Sequence, residues 1–129
     1  MPMKATTSTS LTIELPPDPQ LLRVLRLMAS GLASLANLDL GATEEVRVAV
    51  DELGTTLIAA SDGSPIRLSI ELTDAALCVE GSTMLPPNVS EFEVDPLVHR
   101  MLDVVASTHS FTTRDGHATG RFEKHLPTG

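Results

Sequence analysis

Hydrophobic positions recur along this chain with two periods. Leu11, Ile13 and Leu15 alternate with Thr12 and Glu14, the spacing of a half-buried strand over 11–15. Pro16-Pro17 ends it, and Asp18-Pro19 supplies a helix N-cap and a first-turn proline. A helix is expected over 19–37, with Leu21, Leu25, Met28, Leu32 and Leu35 on an apolar stripe and Arg23, Arg26, Ser30, Ser34 and Asn37 opposite. Gly41-Ala42-Thr43 breaks the pattern. Thr43 is the expected cap of a second helix, with Glu44 and Glu45 at the positive end of its dipole. Val46, Val50, Leu53, Leu57 and Ala60 make its inward face, and Ser61-Asp62-Gly63 marks its end.

The second half returns to period two. Ile66, Leu68, Ile70 and Leu72 alternate with polar residues over 65–72, and a turn at Thr73-Asp74 leads to a partner strand over 77–80. A loop is expected over 81–94. Asp95-Pro96 repeats the cap-and-proline signal, and a third helix to about residue 107 turns Leu97, Met101, Val104 and Val105 inward. Asp115-Gly116 then joins strands over 108–114 and 117–124, a strong hairpin signal. Three helices with one apolar stripe each belong on one face of a sheet. The expected fold is α+β, a two-layer sandwich with a mixed, mostly antiparallel sheet and three helices on one face. One domain over 11–126 accounts for the pattern, with a disordered tail over 1–10 and a short tail over 127–129.

Composition narrows the function classes. The chain has 129 residues, 42% of them apolar, no Trp or Tyr, and only Phe92, Phe111 and Phe122, so the core must be aliphatic. The formal net charge is −8. Phosphate backbones require cationic surfaces, so a nucleic-acid partner is not expected, whereas a basic protein partner is permitted. The single cysteine, Cys78, lies in a strand-like run and is expected to be a reduced core thiol. The first ten residues contain no apolar signal core, and no apolar run is long enough to span a bilayer. A cytoplasmic location without membrane association is therefore expected.

Candidate chemistry is sparse. His99, His109, His117 and His125 do not form a metal-ligand spacing, although His117 and His125 share a strand face, so no metal is expected. Ser82-Thr83 after Gly81 lacks the lysine and glycine spacing of a phosphate loop. The most informative segment is the second helix, where Glu52 and Thr56 lie one turn apart at the edge of the apolar face.

A helix with that carboxylate and a short polar side chain four residues later resembles the N-box helix of the GHKL (HATPase_c) ATPases. In particular it resembles the anti-sigma-factor serine kinases of the RsbW and SpoIIAB type. Two further segments carry the likeness: the strand-proline-helix opening over 15–26, and the closing helix and hairpin through Phe111, Gly116 and Phe122. Together they span residues 11–126. The resemblance implies a Bergerat-type fold, a homodimer, and a glutamate base at Glu52. It also implies an arginine on the first helix, Arg23 or Arg26, that contacts a sigma factor or a STAS-domain anti-anti-sigma partner.

The same comparison exposes departures at the nucleotide site. Thr56 stands where the family has a magnesium-binding asparagine. The aspartate-glycine box is reduced to Glu80-Gly81-Ser82, leaving Gly81 as its one glycine. Asp95-Pro96 stands where a glycine-rich turn would present N–H groups to phosphate, and a proline has none. Glu52 is then a vestigial base, and Thr56, Gly81 and Asp95 are degenerate positions of a lost cofactor site. The expected function is an anti-sigma-like regulatory binding protein with nucleotide binding lost or much weakened; enzymatic activity is left open with the balance against it, and no cofactor is expected. Two alternatives stand beside it. One is an active serine kinase that uses ATP and magnesium to phosphorylate a STAS-domain partner. The other is an interaction domain outside sigma regulation.

Overall fold

A computed structural model describes residues 8–127 as five strands and three helices. Strand β1 (Thr9–Leu15) leads through a single 3-10 turn, Pro19–Leu21, into helix α1 (Leu22–Leu35) and then helix α2 (Leu40–Ala60). Strands β2 (Ile66–Leu72) and β3 (Ala76–Met84), helix α3 (Pro96–Val105), and strands β4 (Thr108–Arg114) and β5 (His117–His125) follow. Of the expected tails, residues 1–7 and 128–129 lie outside the described residues, and β1 already includes Thr9 and Ser10.

The sheet order is β1-β2-β3-β5-β4. Every neighbouring pair is antiparallel, so the mixed sheet expected from sequence is corrected to a wholly antiparallel one. Register puts Leu15, Ile66, Leu68, Ile70, Leu77, Val79, Ala118 and Phe122 on the helix side, all buried. The opposite face carries Arg67, Ser69, Glu71 and Glu80 in the open. Helix α2 is the centre of the second layer: it packs on α1, α3, β3 and β5. Each fully buried Leu, Ile or Phe of this core contributes about 1.5–3 kcal/mol by leaving water.

Several boundaries differ from the sequence reading for local reasons. Helix α1 stops at Leu35 because Asn37 takes a left-handed φ of 57°. The Leu38 N–H donates to the Ala33 carbonyl and the Asn37 N–H to the Ser34 carbonyl, a Schellman ending. Helix α2 begins at Leu40, not after Thr43, because Asp39 is the cap: its carboxylate accepts the Ala42 N–H at 2.8 Å. Thr43 instead donates its hydroxyl back to the Asp39 carbonyl. The Asp115-Gly116 hairpin forms as expected, with φ of 51° and 79° at the two residues.

Two helix faces are corrected. On α1 the buried residues are Leu25, Ala29, Leu32 and Ala33, while Leu35 is 64% exposed. Alanines serve there because α2 comes close: a Cβ on Gly54 would sit 2.8 Å from Leu25 Cδ1. On α3 the buried residue is Leu102, with Val98 and Val105 partly buried beside it. Leu97 and Val104, expected inward, point to solvent. No helix among the described residues is long and apolar enough to cross a membrane.

Candidate functional site

Helix α2 brings Glu52 and Thr56 to one edge, and residues 85–95, a strap between β3 and α3, pass beside them. A groove of about 350 Å³ lies between α2, the strap and the start of α3. Thr55, Thr56, Phe92, Asp95 and Val98 are among its lining residues, and none of the residues lining it is basic. Thr56 and Asp95, placed far apart in sequence, therefore meet at one groove.

Asp95 is committed to structure. Its carboxylate accepts the Leu97 N–H at 2.9 Å and caps α3, with Pro96 in the first turn. The helix N-terminus thus already holds an anion of its own, which would oppose a bound phosphate. Glu52 is half-buried. Burial raises its pKa above the ordinary 4.5, and the negative charges of Asp51 and Asp95 push the same way. Three carboxylates thus share one electrostatic neighbourhood. The carboxylates here would repel a bare phosphate, and no lysine or arginine lines the groove to offset them.

Gly81 does not belong to this site. It lies inside β3, paired across the sheet with Leu68 and Gly120, and not at the start of a loop. A Cβ there would stand 2.5 Å from Leu57 Cδ1 and 2.8 Å from Leu68 Cδ2. The glycine therefore lets α2 approach the sheet.

The two arginines of α1 differ. Arg26 donates from Nε to Asp51 Oδ1 at 2.9 Å, joining α1 to α2. Arg23 is exposed and has no hydrogen-bond or ion-pair partner among the described residues. Beside it runs an apolar stripe that the sequence reading did not separate from the core face. Val24, Leu27 and Leu35 are exposed, with Leu27 at 75%, and Met28 and Gly31 fill the intervening turns. Steps of three and four place these five residues on one flank. Leu22 and Leu25 meet Gly54 of α2 from a different side of the helix.

The histidines assort in a way their spacing did not suggest. His99 of α3 and His109 of β4 meet with Nδ1 and Nε2 2.9 Å apart. Among the described residues no three His, Cys, Asp or Glu side chains converge as a metal site requires. Cys78 is half-buried on the open sheet face, and burial raises its thiol pKa.

A scan against known protein families gives no match, and a search of curated proteins finds no significant relative.

Proposed function

We propose that this chain is a regulatory binding protein of the anti-sigma type, which holds a sigma factor or a STAS-domain antagonist on α1 and works without nucleotide turnover. The observation that carries the reading is the outer flank of α1. Val24, Leu27, Met28, Gly31 and Leu35 form an apolar stripe without charge, and the exposed Arg23 stands beside it. An apolar strip edged by an arginine has the make-up of a protein docking surface. The likeness of residues 11–126 to RsbW-type proteins supplies the partner class.

The groove at Thr56 supports the non-catalytic half of the reading. Its carboxylates and its capped helix N-terminus disfavour triphosphate. One observation favours the kinase alternative: the Glu52 pKa is raised, as that of a general base is. The homodimer is carried as part of the proposal, supported by β1, which among the described residues pairs with β2 alone and is an edge strand of the sheet.

Two experiments test the halves separately. Calorimetric titration with magnesium-ATP should give no binding heat, and a dissociation constant in the micromolar range would overturn the non-catalytic half. The sigma factors and STAS-domain proteins encoded in the same genome should be captured by the wild-type chain. Leu27→Asp should abolish that capture, and equal capture by the variant would remove α1 from the interface.

A further inference from the structure

The sheet has two edge strands, β1 and β4. An edge carries backbone N–H and C=O groups that a further strand can pair with, and proteins commonly guard it with charge or proline. β4 has no such guard over 108–113: Thr108-His109-Ser110-Phe111-Thr112-Thr113 includes no Lys, Arg, Asp, Glu or Pro. Its threonines and Phe111 favour extended backbone. The whole strand, Thr108 to Arg114, pairs in register with β5.

The hairpin turn fixes which backbone groups face outward. Asp115 and Gly116, with φ of 51° and 79°, form a two-residue loop between Arg114 and His117. In such a turn the first residue's carbonyl accepts the fourth residue's N–H, so Arg114 and His117 are a hydrogen-bonded pair. Bonded and non-bonded pairs alternate along an antiparallel ladder, so Thr112, Ser110 and Thr108 also bond to β5. The Ser107 N–H donates to the Glu123 carbonyl at 2.8 Å, so that carbonyl is turned toward β4, as this phase requires. His109, Phe111 and Thr113 therefore point their N–H and C=O groups away from β5. No backbone hydrogen bond from a turn or loop among the described residues reaches them. The Phe111 ring leaves the edge clear because it lies over Gly120 of β5, where a Cβ would stand 2.7 Å from Phe111 Cε1.

We propose that two copies of this chain join antiparallel along β4, with Phe111 beside Phe111 at the twofold axis. This rests on the homodimer of the proposed function and names its interface. In that register His109 faces Thr113 of the second copy, and every outward N–H and C=O of His109, Phe111 and Thr113 finds a partner. On the open sheet face, Arg114 of the second copy comes opposite Thr108, whose neighbour on β5 is Glu123. Arg114 is exposed and Thr108 is short, so the guanidinium reaches over it toward the carboxylate, and the twofold axis makes the contact twice. On the helix side, a groove of about 260 Å³ lies along the seam, with Phe92, Val94, His99 and Thr113 among its lining residues, and receives His109 of the second copy. The other edge lacks this complementarity. Carried across the ladders of β5, β3 and β2, the same alternation turns Ser10, Thr12 and Glu14 outward on β1. Pairing about Thr12 would set Glu14 of a second copy opposite Ser10, whose neighbour on β2 is Glu71. Acid would then approach acid, which destabilises a cross-strand row.

The test uses the full chain. Sedimentation equilibrium from about 1 μM to 1 mM should show a dimer that dissociates on dilution. Amide hydrogen exchange should be slowed at His109, Phe111 and Thr113 only where the dimer forms, and at Ser110 and Thr112 at every concentration. Thr113→Pro removes an outward N–H, a change an edge strand tolerates, and should leave the chain folded and monomeric. Arg114→Glu, at an exposed position, should weaken the dimer about tenfold. Thr12→Pro, the matching change on β1, should leave it intact. A wild-type chain that stays monomeric throughout would end the homodimer reading and this proposal with it. A dimer that survives both Thr113→Pro and Arg114→Glu would overturn the β4 assignment alone, and its loss in Thr12→Pro would then place the interface on β1. Slow exchange of the His109, Phe111 and Thr113 amides in a monomer would mean that the chain covers this edge itself, and would likewise overturn the assignment.

Discussion

The Arg26 guanidinium holds the Asp51 carboxylate at 2.9 Å, one residue before Glu52, so the two arginines of α1 have different tasks. Arg26 is a strut between helices, whereas Arg23 has no side-chain partner among the described residues. The Arg26 and Asp51 side chains are 45% and 30% exposed, and such a pair is worth about 0–1 kcal/mol. Arg26→Ala should lower stability to urea within that range. Arg23→Ala should leave urea stability unchanged and reduce partner capture. A larger stability loss at Arg23 than at Arg26 would reverse the assignment.

Gly81 tests whether its role is packing or ligand binding. Gly81→Ala places a methyl 2.5 Å from Leu57 Cδ1 and 2.8 Å from Leu68 Cδ2, on the buried side of a central strand. Overpacking of this kind costs about 1–3 kcal/mol. Denaturant unfolding should show that loss, while the folded fraction keeps its partner affinity. An unchanged midpoint would mean that α2 shifts freely over the sheet.

The parts of the fold that were legible in sequence are those with local causes. Asp115-Gly116 is readable because two successive positive φ angles need such residues. Asp95-Pro96 is readable because cap and proline act within one turn. The face of α3 was readable only at Val105, since the expected set Leu97, Met101, Val104 and Val105 and the observed set Val98, Leu102 and Val105 both satisfy a helical period. Only packing against α2 and β4 selects the second. On α1 the same ambiguity hid the outer stripe, because Leu35 looked like a continuation of the core. The His99–His109 contact joins a helix to a strand across ten residues, and no periodicity announces it. Thr56 and Asp95 were each singled out, but their meeting at one groove depends on the path of the strap.

Lys124 is a charged group largely enclosed between β5 and the helices. Its side chain is 16% exposed, and its Nζ donates to Glu45 Oε1 at 2.6 Å and to the Val105 carbonyl at 2.9 Å. It thereby ties β5 to α2 and to the last turn of α3. Lys124→Met removes both bonds and leaves a carbonyl and a carboxylate to find water, at a cost of about 1–3 kcal/mol. Glu45→Gln should cost less, because the Val105 contact survives. Equal losses for the two variants in chemical denaturation would show that Glu45 carries the whole effect.

Glu52 runs against the usual pH behaviour of carboxylates. Its folded pKa is raised above 4.5 by burial first, then by the charges of Asp51 and Asp95. In the window just above 4.5 the folded chain keeps a proton that the unfolded chain has released, so this group makes stability fall as pH rises. Above that window both forms are ionised and the crowded charge destabilises the fold. Glu52→Gln should therefore be more stable than wild type at neutral pH. The difference should shrink as pH falls through the window and vanish below it. Unfolding curves from roughly pH 4 to pH 8 check this, because subtracting variant from wild type removes the other carboxylates. Arg26→Ala frees Asp51 from its ion pair, so the advantage of Glu52→Gln should be larger in that background, a coupling that a double-mutant cycle reads directly. A Gln variant less stable than wild type at neutral pH would mean that Glu52 is held there by a favourable contact, and the acidic-cluster argument against nucleotide would lose its main support.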